Sequence, residues 1–419
     1  MKAYKPVLSL AATTTLIACS SVNNLSQDSD WWISRPKYLV SQMKPGELHN
    51  RMQNCGEQLE EVLKKTEFSI SHRGAPMGIP EHTRESYLAA TTMGAGIIEC
   101  DVTFTRDKEL VCRHSQCDLH TTTNILATPL AKKCRQEFTP AAFDASGKLL
   151  SPADAKCCTS ELTLAEFKSL QGKMDHSNPQ AKTVREYLKG DPQAPVQYTG
   201  TATLMSHRES IELFKSLDVK MIPELKHPEV DMPFDGFTKE AYAQKLVTEY
   251  KMAGVSPDRV YLQSFFSEDI QYWLKAEPDY AKQVVFLDGR FLQATFNSND
   301  ATTWKPRMVE IAASGVHIIA PPLWMLLTLD GNKQIVPSTY ALEAKKAGLD
   351  IIPWVLERSG SLNHGGGWFY QSINDAISTD GDSLAVLDVL TKKVGIRGIF
   401  SDWPATVSYY ANCTGLDRK

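Results

Sequence analysis

The sequence has no excess of basic residues and none of the paired cysteine and histidine spacings that mark a zinc site. Its 419 residues include 45 lysines and arginines against 49 aspartates and glutamates, which gives a formal net charge of −4. A surface that covers a nucleic acid is therefore not indicated. None of the nine cysteines forms a Cys-x-x-Cys pair. The composition, 42% hydrophobic and 22% charged, is that of a globular protein with room for one large barrel or two domains.

The N-terminal apolar run is too short to cross a membrane. It covers residues 7–18, follows two lysines and is typical of a signal peptide. It ends in Leu-Ile-Ala-Cys19, which resembles a bacterial lipoprotein cleavage box, and Ser20 resembles the signal for sorting to the outer membrane. We therefore expect residues 1–18 to be removed, Cys19 to carry the lipid anchor and residues 19–45 to form a tether. Simple secretion with an unmodified Cys19 is the alternative.

The other eight cysteines are expected to form disulfides if the chain is exported. Cys55 and Cys413 lie near opposite ends of the predicted domain, residues 46–419, and are expected to join them. Cys100 and Cys112 lie in predicted strands and are expected to be buried thiols. The remaining four lie in one segment and are expected to pair among themselves, in a connectivity that the sequence leaves open: Cys117, Cys134, Cys157 and Cys158.

Apolar segments alternate with amphipathic ones and predict eight strands separated by helices. The predicted strands are 68–71, 96–103, 220–224, 260–264, 283–287, 316–320, 351–355 and 398–401. Such alternation indicates an α/β protein with a parallel sheet, and eight units predict a closed (β/α)8 TIM barrel. The alternation stops over residues 115–203. We interpret this segment, which contains the four clustered cysteines, as an insertion after the second strand.

Polar side chains collect where the predicted strands end. His72 follows the first strand, and Glu224 ends the third. Glu99 and Asp101 lie two residues apart on the second strand and so face the same side. Because the active sites of such barrels lie at the C-terminal ends of the strands, these side chains are expected to meet. Carboxylates that share a buried face repel each other unless a cation neutralises them, so they predict a divalent metal ion. A polar edge strand with solvated acids is the alternative, although the flanking residues are apolar.

Seven motifs in register resemble the glycerophosphodiester phosphodiesterase family, in particular its secreted, periplasmic branch. They span about residues 68 to 411 and occur in the family's order: His72-Arg73-Gly74, Pro80-Glu81-His82-Thr83, Glu99-x-Asp101, His114, Pro223-Glu224-Leu225-Lys226, Val260 to Phe265 and Gly398 to Pro404. The resemblance implies a TIM barrel. It also implies hydrolysis of a small-molecule glycerophosphodiester to glycerol 3-phosphate and an alcohol.

The resemblance also implies the roles of individual residues. A Ca²⁺ or Mg²⁺ ion is expected on Glu99, Asp101 and Glu224, since hard cations prefer oxygen ligands. His72 and His114 are expected to act as the acid–base pair, one accepting a proton and the other donating one. The residues expected to contact or position the substrate are Arg73 as a phosphate clamp, Lys226, Glu81 and Trp354.

Several alternatives to these roles stay open. The alternative for Lys226 is a simple ion pair with Glu224, and Trp354 is as compatible with the core as with a wall for the glycerol carbons. Ser115 stands where the family usually has an aspartate that helps orient the second histidine, which puts efficiency and substrate range in doubt. A second Ser-His-Arg, at residues 206–208, opens a predicted helix and is interpreted as structural.

Two other functions also stay open. The nearness of a lipid anchor suggests a phospholipase D-like or lysophospholipid-cleaving phosphodiesterase. Ser115 and the cysteine-containing insertion suggest a surface binding lipoprotein in which catalysis is subordinate, although both histidines and all three carboxylates are present.

Overall fold

The computed structural model describes residues 32–59, 62–189, 198 and 200–416. The predicted signal peptide and the predicted lipidation of Cys19 lie outside these residues. The helices are α1 Ser34–Ser41, α2 Glu47–Gln58, α3 Arg84–Thr92, α4 Leu119–Thr122, α5 Leu164–Lys168, α6 Val184–Tyr187, α7 His207–Ser216, α8 Lys239–Met252, α9 Ser267–Ala276, α10 Met308–Ala313, α11 Thr339–Lys346, α12 Asp382–Val389 and α13 Pro404–Thr414.

The strands fall into one large sheet and three small two-stranded sheets. They are β1 Thr66–Ser71, β2 Ala95–Phe104, β3 Leu110–Cys112, β4 Gln136–Thr139, β5 Ala142–Phe143, β6 Leu149–Ser151, β7 Asp154–Lys156, β8 Lys220–Leu225, β9 Gln263–Ser264, β10 Val285–Leu287, β11 Ile318–Ala320, β12 Leu327–Leu329, β13 Ile335–Pro337, β14 Asp350–Ile351 and β15 Ile399–Ser401.

Eight strands form a parallel sheet in the order β14-β11-β10-β9-β8-β2-β1-β15, and β3 pairs antiparallel with β2. The two ends of this order are joined by backbone hydrogen bonds. The amide of Arg397 donates to the carbonyl of Ile351 at 2.9 Å, and the amide of Phe400 donates to that of Pro353 at 3.0 Å. The prediction of an α/β fold with eight parallel strands is confirmed. We call the end at which these strands finish, at their C-terminal residues, the mouth.

Most residues of the large sheet's strands are buried on both faces, as is usual for a parallel sheet. All ten residues of β2 are buried. One face packs inside the sheet in a compact apolar cluster that includes Ile70, Ile97, Ile222, Val285, Ile318 and Phe400. The other face packs against the helices in a larger cluster. Each fully buried side chain of this size contributes about 1.5–3 kcal/mol, so the sheet is a rigid support for residues at its mouth.

The predicted tether extends too far towards the C-terminus. From residue 32 the chain belongs to the folded unit, because Trp32, Ile33, Leu39 and Val40 are buried in the main core. The indole Nε1 of Trp403 also donates a hydrogen bond to the carbonyl of Trp32 at 3.0 Å. Exposing these apolar side chains to water would lose the free energy gained by their burial. The tether therefore does not extend to residue 45.

The segment over residues 115–203 builds a small unit of its own beside the large sheet. Two antiparallel hairpin sheets, β4 with β7 and β5 with β6, lie in it together with α4, α5 and α6. Its buried side chains form a separate apolar cluster, which includes Leu119, Phe167 and Tyr187. The capping box at the start of α5 joins Thr163 and Glu166, so the short helix has a satisfied N-terminus.

Four disulfides are present among the described residues. Cys55–Cys413, Cys117–Cys158 and Cys134–Cys157 confirm the predicted pairings and supply the connectivity that the sequence leaves open. The prediction of buried thiols at Cys100 and Cys112 is wrong, because these residues form the fourth bond. The β2–β3 hairpin brings their Cα atoms to 5.3 Å, within the range that a disulfide requires.

The Cys55–Cys413 disulfide joins α2 to α13 across 358 residues of sequence, so it constrains the unfolded chain strongly. We predict that Cys55→Ser/Cys413→Ser lowers the free energy of unfolding, measured with urea under non-reducing conditions, by about 2–5 kcal/mol. The matched control is Cys134→Ser/Cys157→Ser, whose bond spans only 23 residues. The control variant should lose about 2 kcal/mol less free energy of unfolding, because its bond closes a shorter loop and so removes less entropy from the unfolded chain. Equal losses would contradict the entropic explanation.

Candidate active site

Three buried carboxylates meet at the mouth between two neighbouring strands. Parallel pairing of β2 with β8 puts Asp101 directly opposite Glu224, and Glu99 lies two residues earlier on the same face of β2. One carboxylate oxygen from each of the three lies within 4.8 Å of the others. We call this set the carboxylate cluster. The sequence predicted that these side chains meet, and the structure brings them together.

Burial, like charges and nearby cations shift the pKa values of the carboxylate cluster in different directions. Burial, with the nearby charges of Asp101 and Glu224, raises the pKa of Glu99 well above its ordinary value. Burial raises the pKa of Glu224 to about 7, against the opposing charge of Lys226. Burial also acts to raise the pKa of Asp101, but the charges of Lys226 and His82 hold it well below its ordinary value. The protein's own cations therefore neutralise the cluster only in part.

Most oxygens of the cluster have hydrogen-bond partners that fix their positions. Glu99 accepts from the amide of Arg73 at 3.0 Å and from the side-chain amide of Gln263 at 2.8 Å. Asp101 Oδ2 lies 3.0 Å from Nε2 of His82, whose Nδ1 lies 2.9 Å from the hydroxyl of Tyr87. The tautomer with its proton on Nε2 therefore donates to Asp101 and accepts from Tyr87.

One cluster oxygen, Asp101 Oδ1, is buried and has no hydrogen-bond partner. Buried carboxylate oxygens normally find a partner, so this atom requires an explanation. A hard divalent cation among the three carboxylates would satisfy it and relieve the repulsion at the same time. The donor set therefore fits a resident metal ion.

Lys226 pairs with Glu224 at 2.6 Å, and both side chains are largely buried. Burial acts to lower the pKa of Lys226, but the charges of Glu224 and Asp101 raise it overall, so the ammonium stays protonated. The pairing that the sequence left open is thus present. Lys226 nevertheless belongs to the site, because its ammonium group is also attracted electrostatically by Asp101.

His72 is held at the end of β1 by a carboxylate and an arginine. Its Nδ1 lies 2.6 Å from Asp402 Oδ1. Arg358 donates to both oxygens of Asp402, at 2.8 and 3.0 Å, which fixes that carboxylate. Burial lowers the pKa of His72 to about 4, with the charge of Asp402 opposing the shift. The ring is therefore neutral near pH 7. With Nδ1–H donating to Asp402, Nε2 is left as an acceptor 4.0 Å from Glu99 Oε2.

His114 comes from the opposite side of the site, two residues after β3. Burial and the charges of Arg73 and Lys226 lower its pKa well below the ordinary value. The Ser115 hydroxyl donates to Glu229 at 2.9 Å and does not contact the His114 ring. Ser115 therefore does not take over the orienting task of the family's usual aspartate.

Arg73 reaches the carboxylate cluster from the loop after β1. Its Nη1 donates to Glu81 at 3.0 Å, and its Nε lies 3.7 Å from Asp101 Oδ2 without a hydrogen bond. Its backbone has a φ of 57°, a conformation that costs a non-glycine residue about 1–3 kcal/mol. This turn aims the amide of Arg73 at Glu99. The next residue must be glycine, because a Cβ on Gly74 would lie 2.2 Å from Ser86 Oγ.

Trp354 lies at the mouth and is half-buried, so it is not an ordinary core residue. Its indole Nε1 donates to the carbonyl of Ala320 at 2.9 Å, which fixes the ring. Its ring packs against those of Phe265 and Trp368, with centroids about 6 Å apart. An apolar face is therefore exposed beside the polar site.

Two contributions to the site had little or no signal in the sequence. Arg358 lies outside every motif, and its pairing with Asp402 depends on how β14 and β15 meet. Gln263 lies in a motif, but its hydrogen bond to Glu99 reaches from β9 to β2 past the intervening strand β8. By contrast, His207 of the second Ser-His-Arg pairs with Glu249 at 2.8 Å inside the helical layer, in agreement with its structural interpretation.

Comparisons with known proteins agree with this geometry. Residues 72–406 match the profile of the glycerophosphoryl diester phosphodiesterase family. An extracellular protein of Arthroderma benhamiae is 47% identical over 249 residues, which are 58% of this chain and 100% of that protein. A glycerophosphodiester phosphodiesterase of Arabidopsis thaliana is 21% identical over 355 residues, 82% of this chain and 85% of that enzyme.

A solved structure supports the fold. The crystal structure of a Silicibacter pomeroyi protein assigned to the glycerophosphoryl diester phosphodiesterases superimposes with a TM-score of 0.52 at 16% identity, covering 83% of this chain and 93% of that one. Within the part of the chain that the structure describes, no helix is both long and apolar enough to span a bilayer.

We predict that a divalent cation stabilises the chelator-treated protein. Calcium or magnesium at about 100 times its dissociation constant should add about 2.7 kcal/mol to the free energy of unfolding and raise Tm. Glu224→Gln should remove most of this gain, because it removes a charged ligand. Glu67→Gln, which alters an exposed carboxylate paired with Lys220, is the matched control and should keep the gain. A gain in Tm that is equal in both variants would place the cation elsewhere.

Proposed function

Because this chain belongs to the glycerophosphoryl diester phosphodiesterase family and is a phosphoric diester hydrolase of that kind, we propose that it cleaves glycerophosphodiesters to glycerol 3-phosphate and an alcohol. The observation that carries the proposal is the meeting of a carboxylate cluster, a neutral histidine and a buried arginine at one mouth. Hydrolysis of a phosphodiester needs charge neutralisation and proton transfer, and these groups supply both.

Glu99, Asp101 and Glu224 would hold a divalent cation, either Ca²⁺ or Mg²⁺, since all their donors are oxygens. When bound, such an ion supplies positive charge to the phosphate oxygens. Arg73 adds a planar guanidinium that matches two phosphate oxygens. Glu81 keeps that guanidinium in place through its 3.0 Å hydrogen bond, so Glu81 is a positioning residue.

Proton transfer in this proposal is divided between the two histidines. His72 accepts at Nε2 the proton of the oxygen nucleophile that attacks phosphorus, because Asp402 holds Nδ1–H and stabilises the imidazolium that results. His114 donates a proton to the leaving alcohol. The negative charge of a bound phosphodiester raises the pKa of His114 and so favours its protonated form.

The substrate's other groups meet side chains at the edges of the same site. Lys226 stays charged beside Glu224 and adds to the attraction for an anionic substrate. The half-exposed face of Trp354 packs against the glycerol carbons. The same apolar neighbourhood favours lysophospholipid cleavage as the second candidate function. Release of choline from lysophosphatidylcholine at a rate comparable to that from glycerophosphocholine would support the second candidate.

Export and a lipid anchor are part of the proposal. The related Arthroderma benhamiae protein is an extracellular protein. Four disulfides in this chain agree with an oxidising compartment. Cleavage before Cys19 and lipidation of its thiol would fix the protein to the outer membrane of a bacterium, in agreement with the sequence before it.

We predict that His72→Ala and His114→Ala each lower kcat on glycerophosphocholine by about 10²-fold or more, the scale of general acid–base catalysis. The measurement is a coupled assay of glycerol 3-phosphate with added calcium or magnesium, repeated after chelation, which should stop the reaction. His317→Ala, on an exposed histidine outside the mouth, is the matched control and should leave kcat unchanged. Near-normal turnover of His72→Ala or of His114→Ala would show that the substituted histidine takes no part in the mechanism.

We predict that the protein made in a Gram-negative host enters the detergent phase on phase separation, because each buried acyl methylene contributes about 0.8 kcal/mol to anchoring. Cys19→Ser should move it to the aqueous phase by removing the acylated thiol. Ser20→Ala leaves that thiol intact and is the matched control. A Cys19→Ser protein that still enters the detergent phase would refute lipidation.

A further inference from the structure

One side of the mouth carries three aromatic side chains packed against Trp368, with the exposed Leu292 next to Phe291 in the chain, outside the proposed catalytic and substrate-binding residues. We call this set the apolar rim: Phe291, Leu292, Trp324, Trp368 and Phe369. The ring centroids of Phe291 and Trp368 lie 5.4 Å apart, those of Trp324 and Trp368 lie 6.0 Å apart, and those of Trp368 and Phe369 lie 4.8 Å apart. These residues follow β10, β11 and β14, so the rim is built from three adjacent strands at their C-terminal ends.

The apolar rim is accessible to solvent at its top. Leu292 is 80% exposed and Trp368 is 43% exposed, both high values for side chains of this size. Single exposed hydrophobic residues are ordinary, but apolar side chains that touch one another on a surface mark a place of interaction. The rings pack against one another and leave no cavity between them for a small ligand. The rim is therefore an outward surface and not a pocket.

Two long stretches of the loops that carry the apolar rim contain no Asp, Glu, Lys or Arg. These are residues 291–299 and residues 359–374, the latter rich in glycine. Moving an unpaired charge out of water costs several kcal/mol, so loops that enter an apolar phase must lack charge. Tryptophan is the residue that best tolerates the boundary between lipid and water.

The chain outside the described structure joins the fold at this same end. Trp32, the first described residue, accepts a hydrogen bond from Trp403, two residues after β15 and therefore at the mouth. Residues 1–31 precede it and include the apolar run over residues 7–18. A membrane attachment made through that segment would hold the mouth, and not the opposite end of the sheet, near the bilayer.

We propose that the apolar rim inserts into the surface of a phospholipid bilayer, so that the mouth faces the membrane. The partner is the lipid surface itself, recognised by hydrophobic contact. The inference rests on the rim and on the position of Trp32, and it does not require the proposed substrate. In this orientation a phosphodiester that leaves the bilayer reaches the mouth, where the carboxylate cluster lies.

The test measures which face of the protein contacts lipid. The full chain carrying Cys19→Ser, which removes the one cysteine outside the disulfides, receives Leu292→Cys and a polarity-sensitive dye. Leu342→Cys, at a 58% exposed leucine on α11 away from the mouth, is the matched control. Vesicles of phosphatidylcholine and phosphatidylglycerol should shift the emission at position 292 to the blue and leave that at position 342 unchanged. No shift at position 292, or equal shifts at both positions, would overturn the proposal.

A second measurement separates lipid contact from catalysis. Leu292→Asp puts a charge on the apolar rim without touching the catalytic residues. It should lower hydrolysis of lysophosphatidylcholine held in vesicles by about fivefold or more, since interfacial binding scales with apolar area. Hydrolysis of soluble glycerophosphocholine should not change. If Leu292→Asp leaves the rate of hydrolysis unchanged for the substrate held in vesicles as well as for the soluble one, the proposal is overturned. Absence of glycerophosphocholine hydrolysis by the parent protein would instead reject the proposed function, and absence of lysophosphatidylcholine hydrolysis alone would reject only the second candidate function. In both cases the dye measurement would still decide the orientation.

Discussion

The repulsion among three carboxylates buried at one mouth is the constraint on which the rest of the site depends. The pairing of β2 with β8 sets Asp101 opposite Glu224, so the sheet itself forces them together. Burying like charges is unfavourable unless each is compensated by hydrogen bonds or opposite charge. The neighbouring groups do this in part: His82 and Gln263 bind carboxylate oxygens, and Lys226 supplies a charge. A divalent cation held by the three carboxylates would relieve the remainder of the unfavourable energy.

The same constraint explains why so many parts of the chain converge on the mouth. Arg73 takes a strained backbone conformation so that its amide meets Glu99. His72 points Nε2 towards the cluster only because Asp402 holds its other nitrogen, and Asp402 is in turn held by Arg358. A site of this kind needs supports that do not move. The compact apolar interior of the sheet provides them.

The sequence predicted the parts of the structure that depend on local pattern. Apolar periodicity located the eight strands, and the two-residue spacing placed Glu99 and Asp101 on one face. The sequence could not reveal contacts that form only when distant segments of the chain meet in the folded protein. The Cys100–Cys112 disulfide exists because β3 folds back on β2, and neither strand alone indicates this. Likewise, Arg358 gains its role only where β14 and β15 meet, and Trp32, the first residue that the structure describes, is held by a contact with Trp403.

The division of the mouth into two halves has a consequence for how a substrate binds. The charged groups of the site come from β1, β2, β8 and β15, with Arg358 after β14, whereas the rings of the apolar rim follow β10, β11 and β14. A phosphodiester must place its anionic phosphate over the charged half, because ions are costly to move onto an apolar surface. Any less polar part of the same molecule then falls towards Trp354, which lies at the border. The polarity of the two halves, more than any single hydrogen bond, therefore sets the direction in which a substrate enters.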